Sequence, residues 1–127
     1  MPLWTDGIPA ITLFVDDVAA AKNFYARVFE LPVHFEDDES AVFRFGSTLV
    51  NLLKATAAPE LIDPAKVADP SGGNRFQLTL QVGDVDALCE RLQAKGVQLL
   101  NGPMDRPWGP RTASFQDPDG HIWEIAT

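Results

Sequence analysis

Hydrophobic positions along the chain change their spacing twice in the same way. From Ile11 to Val15 the residues suit a strand. At Asp17 the spacing lengthens to that of a helix, with Val18, Ala21, Tyr25 and Val28 on one stripe that stops before Pro32. The same switch recurs at Asp84, where Val85, Leu88, Cys89 and Leu92 form the stripe and Gly96 supplies a left-handed C-terminal residue. Each aspartate stands where its carboxylate can accept from the free N–H groups of a first helical turn. The two starts, ITLFVDDVAA and LTLQVGDVDA, share six residues in ten at a constant offset of 67 positions, which marks a duplication.

After each helix the period-two pattern returns. Val33 to Phe35, Ala41 to Phe45 and Thr48 to Lys54 are predicted strands in the first copy. Val97 to Leu100, Thr112 to Gln116 and His121 to Ala126 are their counterparts. Asp117-Pro118-Asp119-Gly120 fits a type I turn. The predicted fold is an α+β domain over residues 1–127, built from two tandem βαβββ modules at about 8–54 and 74–127. Residues 55–73, rich in Ala, Pro, Asp, Ser and Gly, read as a surface linker with one helical turn around Pro64 to Ala68. Such a linker either helps line a site or is a plain tether.

Composition narrows the function class. At 127 residues, with 46% hydrophobic and 22% charged, the chain suits one globular domain with a real core. Its apolar runs fall well short of the roughly 20 residues that cross a bilayer, so no membrane association is expected. The opening MPLWTDG lacks a basic region followed by an apolar one, so a cytoplasmic location is expected. A single cysteine, Cys89, makes neither a disulfide framework nor a CxxC site, and on its stripe it reads as a small buried hydrophobe. The net charge of −8 opposes nucleic-acid binding; it either attracts cationic ligands or simply keeps the protein soluble.

With these patterns in view, ITLFVDDVAAAKNFYARVF, LTLQVGDVDALCERLQAKGV and PWGPRTASFQDPDGHIWEIAT resemble the vicinal oxygen chelate superfamily of glyoxalase I, bleomycin-resistance proteins and extradiol dioxygenases. The resemblance runs from about Ile8 to Ala126. It implies a cupped mixed β-sheet with four inward positions that carry His, Gln or Glu where a divalent metal is held. Here those positions are Ala10, Asn51, Gln77 and Glu124. One carboxylate and two neutral amides fall short of the three or more good donors that a catalytic metal needs. No metal cofactor is therefore expected; a divalent ion on Gln77 and Glu124 is the alternative. His121 is read as a solvated turn residue and His34 as a half-exposed strand residue.

Strand parity assigns the lining of that cup. Thr12 and Phe14 share a face with Ala10, Asn51 with Leu49 and Leu53, Thr79 with Gln77 and Gln81, and Glu124 with Ile122 and Ala126. An apolar wall with a few polar groups suits an organic ligand, although its apolar members are equally well packed core. Glu124 is the candidate to bind a ligand amine or act as a general base; the alternative is a carboxylate tied to Gln77 or a backbone amide. Trp108, between Pro107 and Gly109, resembles the loop closing over ligand in bleomycin-resistance proteins and is a stacking candidate. Arg111 is a candidate to hold an anionic group or to pair with Asp105. Trp123 and Ile125 belong on the opposite face, under a helix. The family resemblance also implies a homodimer, with Trp4 a candidate interface residue.

These residues favour a metal-independent binder of a small organic ligand, similar to antibiotic-sequestering proteins. The alternatives are an enzyme using Glu124 as base (a lyase, isomerase or thiol transferase) and an accessory module whose cup is filled by side chains.

Overall fold

The computed structural model describes Leu3, Trp4 and residues 7–127. Met1, Pro2, Thr5 and Asp6, part of the stretch read for a secretory signal, lie outside the described residues. The chain divides into two compact units, Met1–Val67 and Ala68–Thr127, so the boundary falls inside the expected linker.

In the first unit β1 (Ala10–Val15) leads into helix α1 (Val18–Phe29), followed by β2 (Phe35–Glu36), β3 (Ser40–Phe45) and β4 (Thr48–Lys54). The sheet order is β1-β4-β3-β2, with β1 parallel to β4 and the remaining pairs antiparallel. Asp17 Oδ1 accepts from Ala20 N at 3.1 Å, the predicted cap. Alternation then sorts the residues. Leu13, Val15, Ala41, Phe43, Val50 and Leu52 are buried on the helix side against Ala21, Tyr25 and Val28 of α1. Tyr25 stacks on Phe43 with centroids 5.9 Å apart, and Phe29 meets Phe45 edge-on at 5.1 Å.

The linker holds helix α2 (Pro59–Ile62), and the expected turn at Pro64 to Ala68 is not helical. The reason is local: Pro59 suits the first helical position, whereas Pro64 pushes Asp63 into extended backbone (ψ 137°) and ends the helix.

The second unit repeats the plan with β5 (Gln77–Gln81), α3 (Val85–Ala94), β6 (Leu99–Asp105), β7 (Arg111–Gln116) and β8 (Ile122–Ala126) in the order β5-β8-β7-β6. Asp84 caps α3 through Ala87 N at 3.0 Å. Val85, Cys89, Leu92, Ala113, Phe115, Trp123 and Ile125 form the core under α3, and burial pushes the Cys89 thiol pKa up. Strand β6 starts later and runs further than its sequence predicts. Val97 donates to Leu92 O at 3.0 Å and so belongs to the helix C-cap. Beyond Leu100 the strand continues through Gly102-Pro103, with register shifts on either side of Asn101. A sheet edge tolerates this proline because no neighbour needs its N–H.

The Asp117 to Gly120 turn closes as predicted, with Gly120 N donating to Asp117 O at 3.0 Å. His121, expected to be solvated, is instead 16% exposed at its side chain, and its Nδ1 lies 2.8 Å from Asp117 Oδ2. Asp117 Oδ1 meanwhile accepts from Asp119 N and His121 N. His34, by contrast, is exposed. Burial disfavours the charged His121 ring, but the hydrogen bond and charge of Asp117, with the charge of Asp119, outweigh it and raise the pKa above the ordinary 6.5. A group raised in the folded state stabilises fully below its unfolded pKa and loses that contribution as pH climbs through the folded value. The Tm gap between wild type and His121→Gln is therefore expected to be wide near about pH 6 and to close towards about pH 9. A gap that widened with pH would refute the pairing. Among the described residues no helix is long and apolar enough to cross a membrane.

Candidate ligand-binding faces

Each unit has one sheet face turned away from its helix, and the predicted lining residues lie there. In the first unit Thr12 and Phe14 on β1 are half-buried beside Asn51 on β4, and Asn51 is flanked in register by Thr12 and Val42. The Asn51 Oδ1 atom is buried without a hydrogen-bond partner. A buried acceptor left unmade costs about 1–3 kcal/mol, which a donor reaching it would return.

In the second unit Thr79 and Ser114 flank Glu124 across the strands. Thr79 Oγ1 donates to Glu124 Oε1 at 3.0 Å, so the hydroxyl, rather than Gln77, fixes the carboxylate. Gln77 lies two residues along the same face of β5, opposite Ile122. Trp123 and Ile125 are buried on the helix side, as predicted.

Trp108 is 71% exposed. Its loop is braced by Arg106 N donating to Pro110 O at 2.8 Å and Gly109 N donating to Arg106 O at 3.0 Å. The Arg106 guanidinium carbon lies 5.8 Å from the Trp108 ring centroid. Arg106 also donates from Nε to Thr112 Oγ1 at 2.8 Å and from Nη2 to Asn101 Oδ1 at 3.1 Å. Asn101 pairs with Ser114 and Met104 with Thr112, which places this group on the same face as Glu124. Sequence parity missed Arg106 because the irregular register of β6 cannot be counted through from the sequence, whereas Ser114 and Thr112 lie on the regular strand β7, where alternation opposite Glu124 and Ala126 was the available signal.

Arg111 takes the second of its two expected roles, pairing with Asp105, and adds Asp86 to it. It alternates with Thr112 onto the helix side and binds Asp86 of α3 through two nitrogens at 2.7 and 2.9 Å, with Asp105 at 3.2 Å. These bonds, Asp86 first, raise the Arg111 pKa and lower that of Asp86. The Arg111 charge is therefore met by carboxylates of its own unit.

The residues at the four family metal positions do not fit a metal. Ala10 has no donor, Asn51 and Gln77 offer neutral amides, and a Glu124 oxygen already accepts from Thr79. Among the described residues no three His, Cys, Asp or Glu side chains converge. A separate cleft of about 410 Å³ lies between Asp37, Asp38 and Glu39 and the Glu60-Leu61 end of α2. Its Asp37 carboxylate already accepts from Glu39 N and Ser40 Oγ, and its Ser40 and Leu53 wall pairs in register with Phe14, so the cleft adjoins the open face of the first sheet.

Twin βαβββ units, each with polar residues set in the sheet face turned away from its helix, define the fold class. The chain belongs to the glyoxalase/bleomycin resistance protein/dioxygenase superfamily, whose pattern matches residues 7–125. It is 30% identical to an uncharacterized protein of Mycobacterium tuberculosis over 92% of this chain and 73% of that one. Among solved structures it resembles a glyoxalase-related enzyme from Fulvimarina pelagi (29% identity, TM-score 0.81, covering 96% of this chain and 88% of that one). It also resembles TnmS3, an antibiotic binding protein from Streptomyces (25% identity, TM-score 0.75, covering 98% of this chain and 97% of that one).

Proposed function

We propose that this protein is a metal-independent, cytoplasmic binder of a planar organic molecule, acting by sequestration. The observation that carries the reading is Trp108, an indole left 71% exposed on a loop closed by two backbone hydrogen bonds. An indole carried outward on a braced loop offers its ring to a ligand, and a planar ligand stacked on it would add on the order of 0.5–1.5 kcal/mol. Glu124, steadied by Thr79, supplies a directed acceptor for a ligand amine or hydroxyl, and Asn51 supplies a second in the first unit. The likeness to an antibiotic binding protein supports the same reading.

Tryptophan fluorescence titrated with bleomycin, mitomycin and related cationic or aromatic drugs tests it, and an unchanged signal across the panel would remove its basis. For a drug that binds, Glu124→Gln is expected to weaken affinity about tenfold or more, the cost of losing a hydrogen bond to a charged group. Equal affinity would take Glu124 out of the site. A second reading, an enzyme with Glu124 as general base, draws on the directed carboxylate and on the likeness to a glyoxalase-related enzyme. There Glu124→Gln abolishes turnover while leaving the fold intact. We also propose a homodimer with the 86% exposed Trp4 at its interface, which sedimentation of wild type and Trp4→Ala would test.

A further inference from the structure

In a chain with 10 basic residues against 18 acidic ones, Arg106 is held in place without a carboxylate partner among the described residues. Arg111, five residues on, is neutralised by Asp86 and Asp105. Among the described residues Arg106 instead touches neutral acceptors, the Thr112 hydroxyl and the Asn101 amide, together with the Trp108 ring. Thr112 is 2% exposed, so the Nε anchor is rigid, and the loop that carries Arg106 is closed on itself by the Arg106 and Gly109 backbone bonds. Its Nη1 donors have no acceptor among the described residues. A guanidinium oriented by neutral partners keeps its charge, and its remaining N–H donors stay available to an outside oxyanion. A carboxylate partner would have cancelled that charge, as it does for Arg111.

We propose that Arg106 is an oxyanion handle on the open face of the second sheet, so that the ligand of this face is an acidic aromatic molecule. The inference rests on the binding reading above and narrows it. The ligand's carboxylate meets the Arg106 guanidinium while its ring system lies against Trp108. Asn101, Ser114 and Glu124 follow one another across β6, β7 and β8, so Glu124 lies about two strand spacings away, roughly 10 Å. That span suits a fused-ring molecule with an acid at one end and a hydrogen-bond donor at the other. The acidic balance of the whole chain suggested a cationic ligand; the Arg106 guanidinium carries the opposite charge, and at contact distance the nearest charge decides which end of a ligand docks there.

Calorimetric titration with naphthalene-2-carboxylate and its uncharged carboxamide, on wild type and on Arg106→Gln, Arg106→Lys and Arg111→Gln, tests the handle. The carboxylate is expected to bind wild type and Arg111→Gln at least about tenfold more tightly than the amide. In Arg106→Gln the preference vanishes while the amide binds as before, and Arg106→Lys, with charge but no fork, keeps part of it. Circular dichroism melts confirm that the variants are folded. Equal binding of acid and amide by wild type, or a preference that survives in Arg106→Gln, overturns the handle and leaves the binding reading standing. Failure of both probes at millimolar concentration also overturns the handle, and the drug titration then decides separately whether the face binds organic molecules at all.

Discussion

Gly102→Ala is expected to be the most damaging single-methyl change in the protein. A Cβ at this position would lie 2.5 Å from Thr112 O, 2.7 Å from Ala113 Cα and 2.9 Å from Ala113 Cβ. Two of those atoms are backbone of β7, the strand that carries Thr112 and Ser114, so no rotamer change relieves the clash. The residue also sits at φ +87°, where a side chain is strained in any case. Left-handed strain of about 1–3 kcal/mol and overpacking of a similar size combine to roughly 2–6 kcal/mol. Against a total stability of about 5–15 kcal/mol, much of the protein would be lost at 37 °C. Urea unfolding reads this as a lower midpoint at unchanged slope. Gly83→Ala is the control: nothing lies within 4 Å of its added carbon, and the midpoint should barely move. A Gly102→Ala variant as stable as Gly83→Ala would show that β6 does not approach β7 this closely.

Phe43→Ala should cost about as much, for a different reason. The ring is fully buried and stacked on Tyr25, which itself touches Phe24 and Phe29, so Phe43 ties β3 to α1. Removing it leaves a cavity that flanking aromatic rings cannot collapse to fill, and about 3–5 kcal/mol is the usual cost. Phe43→Leu, which keeps most of the volume, should lose less than half of that. The 55% exposed Phe35 provides the comparison, because its truncation should be nearly silent. A loss below about 1 kcal/mol for Phe43→Ala, measured by urea unfolding, would place the ring outside the core.

The repeat was legible because its signals are local. Asp17 and Asp84 cap helices with bonds that span three residues, and the stripes that follow face the sheets by helical spacing alone. Alternation likewise put Asn51 and Glu124 on open faces and Trp123 in the core without knowledge of any partner. The turn at Asp117 was equally local, but the burial of His121 was not, because solvent access at a turn depends on what packs against it. The linker helix was displaced to Pro59–Ile62 by the steric effect of one proline on the residue before it.

The sequence by itself determined the duplicated βαβββ order, the two helix starts and the residues of β4, because caps, periodicity and turn residues act within a few positions. The tertiary structure alone decided which of two neighbouring arginines meets carboxylates. Arg106 and Arg111 lie in one loop-and-strand segment and look equivalent in a string of letters. A bulged edge strand carries one to Thr112 and Trp108, and strand alternation carries the other beneath α3 to Asp86. Register past a bulge and partners 25 residues apart are set by the pairing of whole strands, which local sequence does not encode.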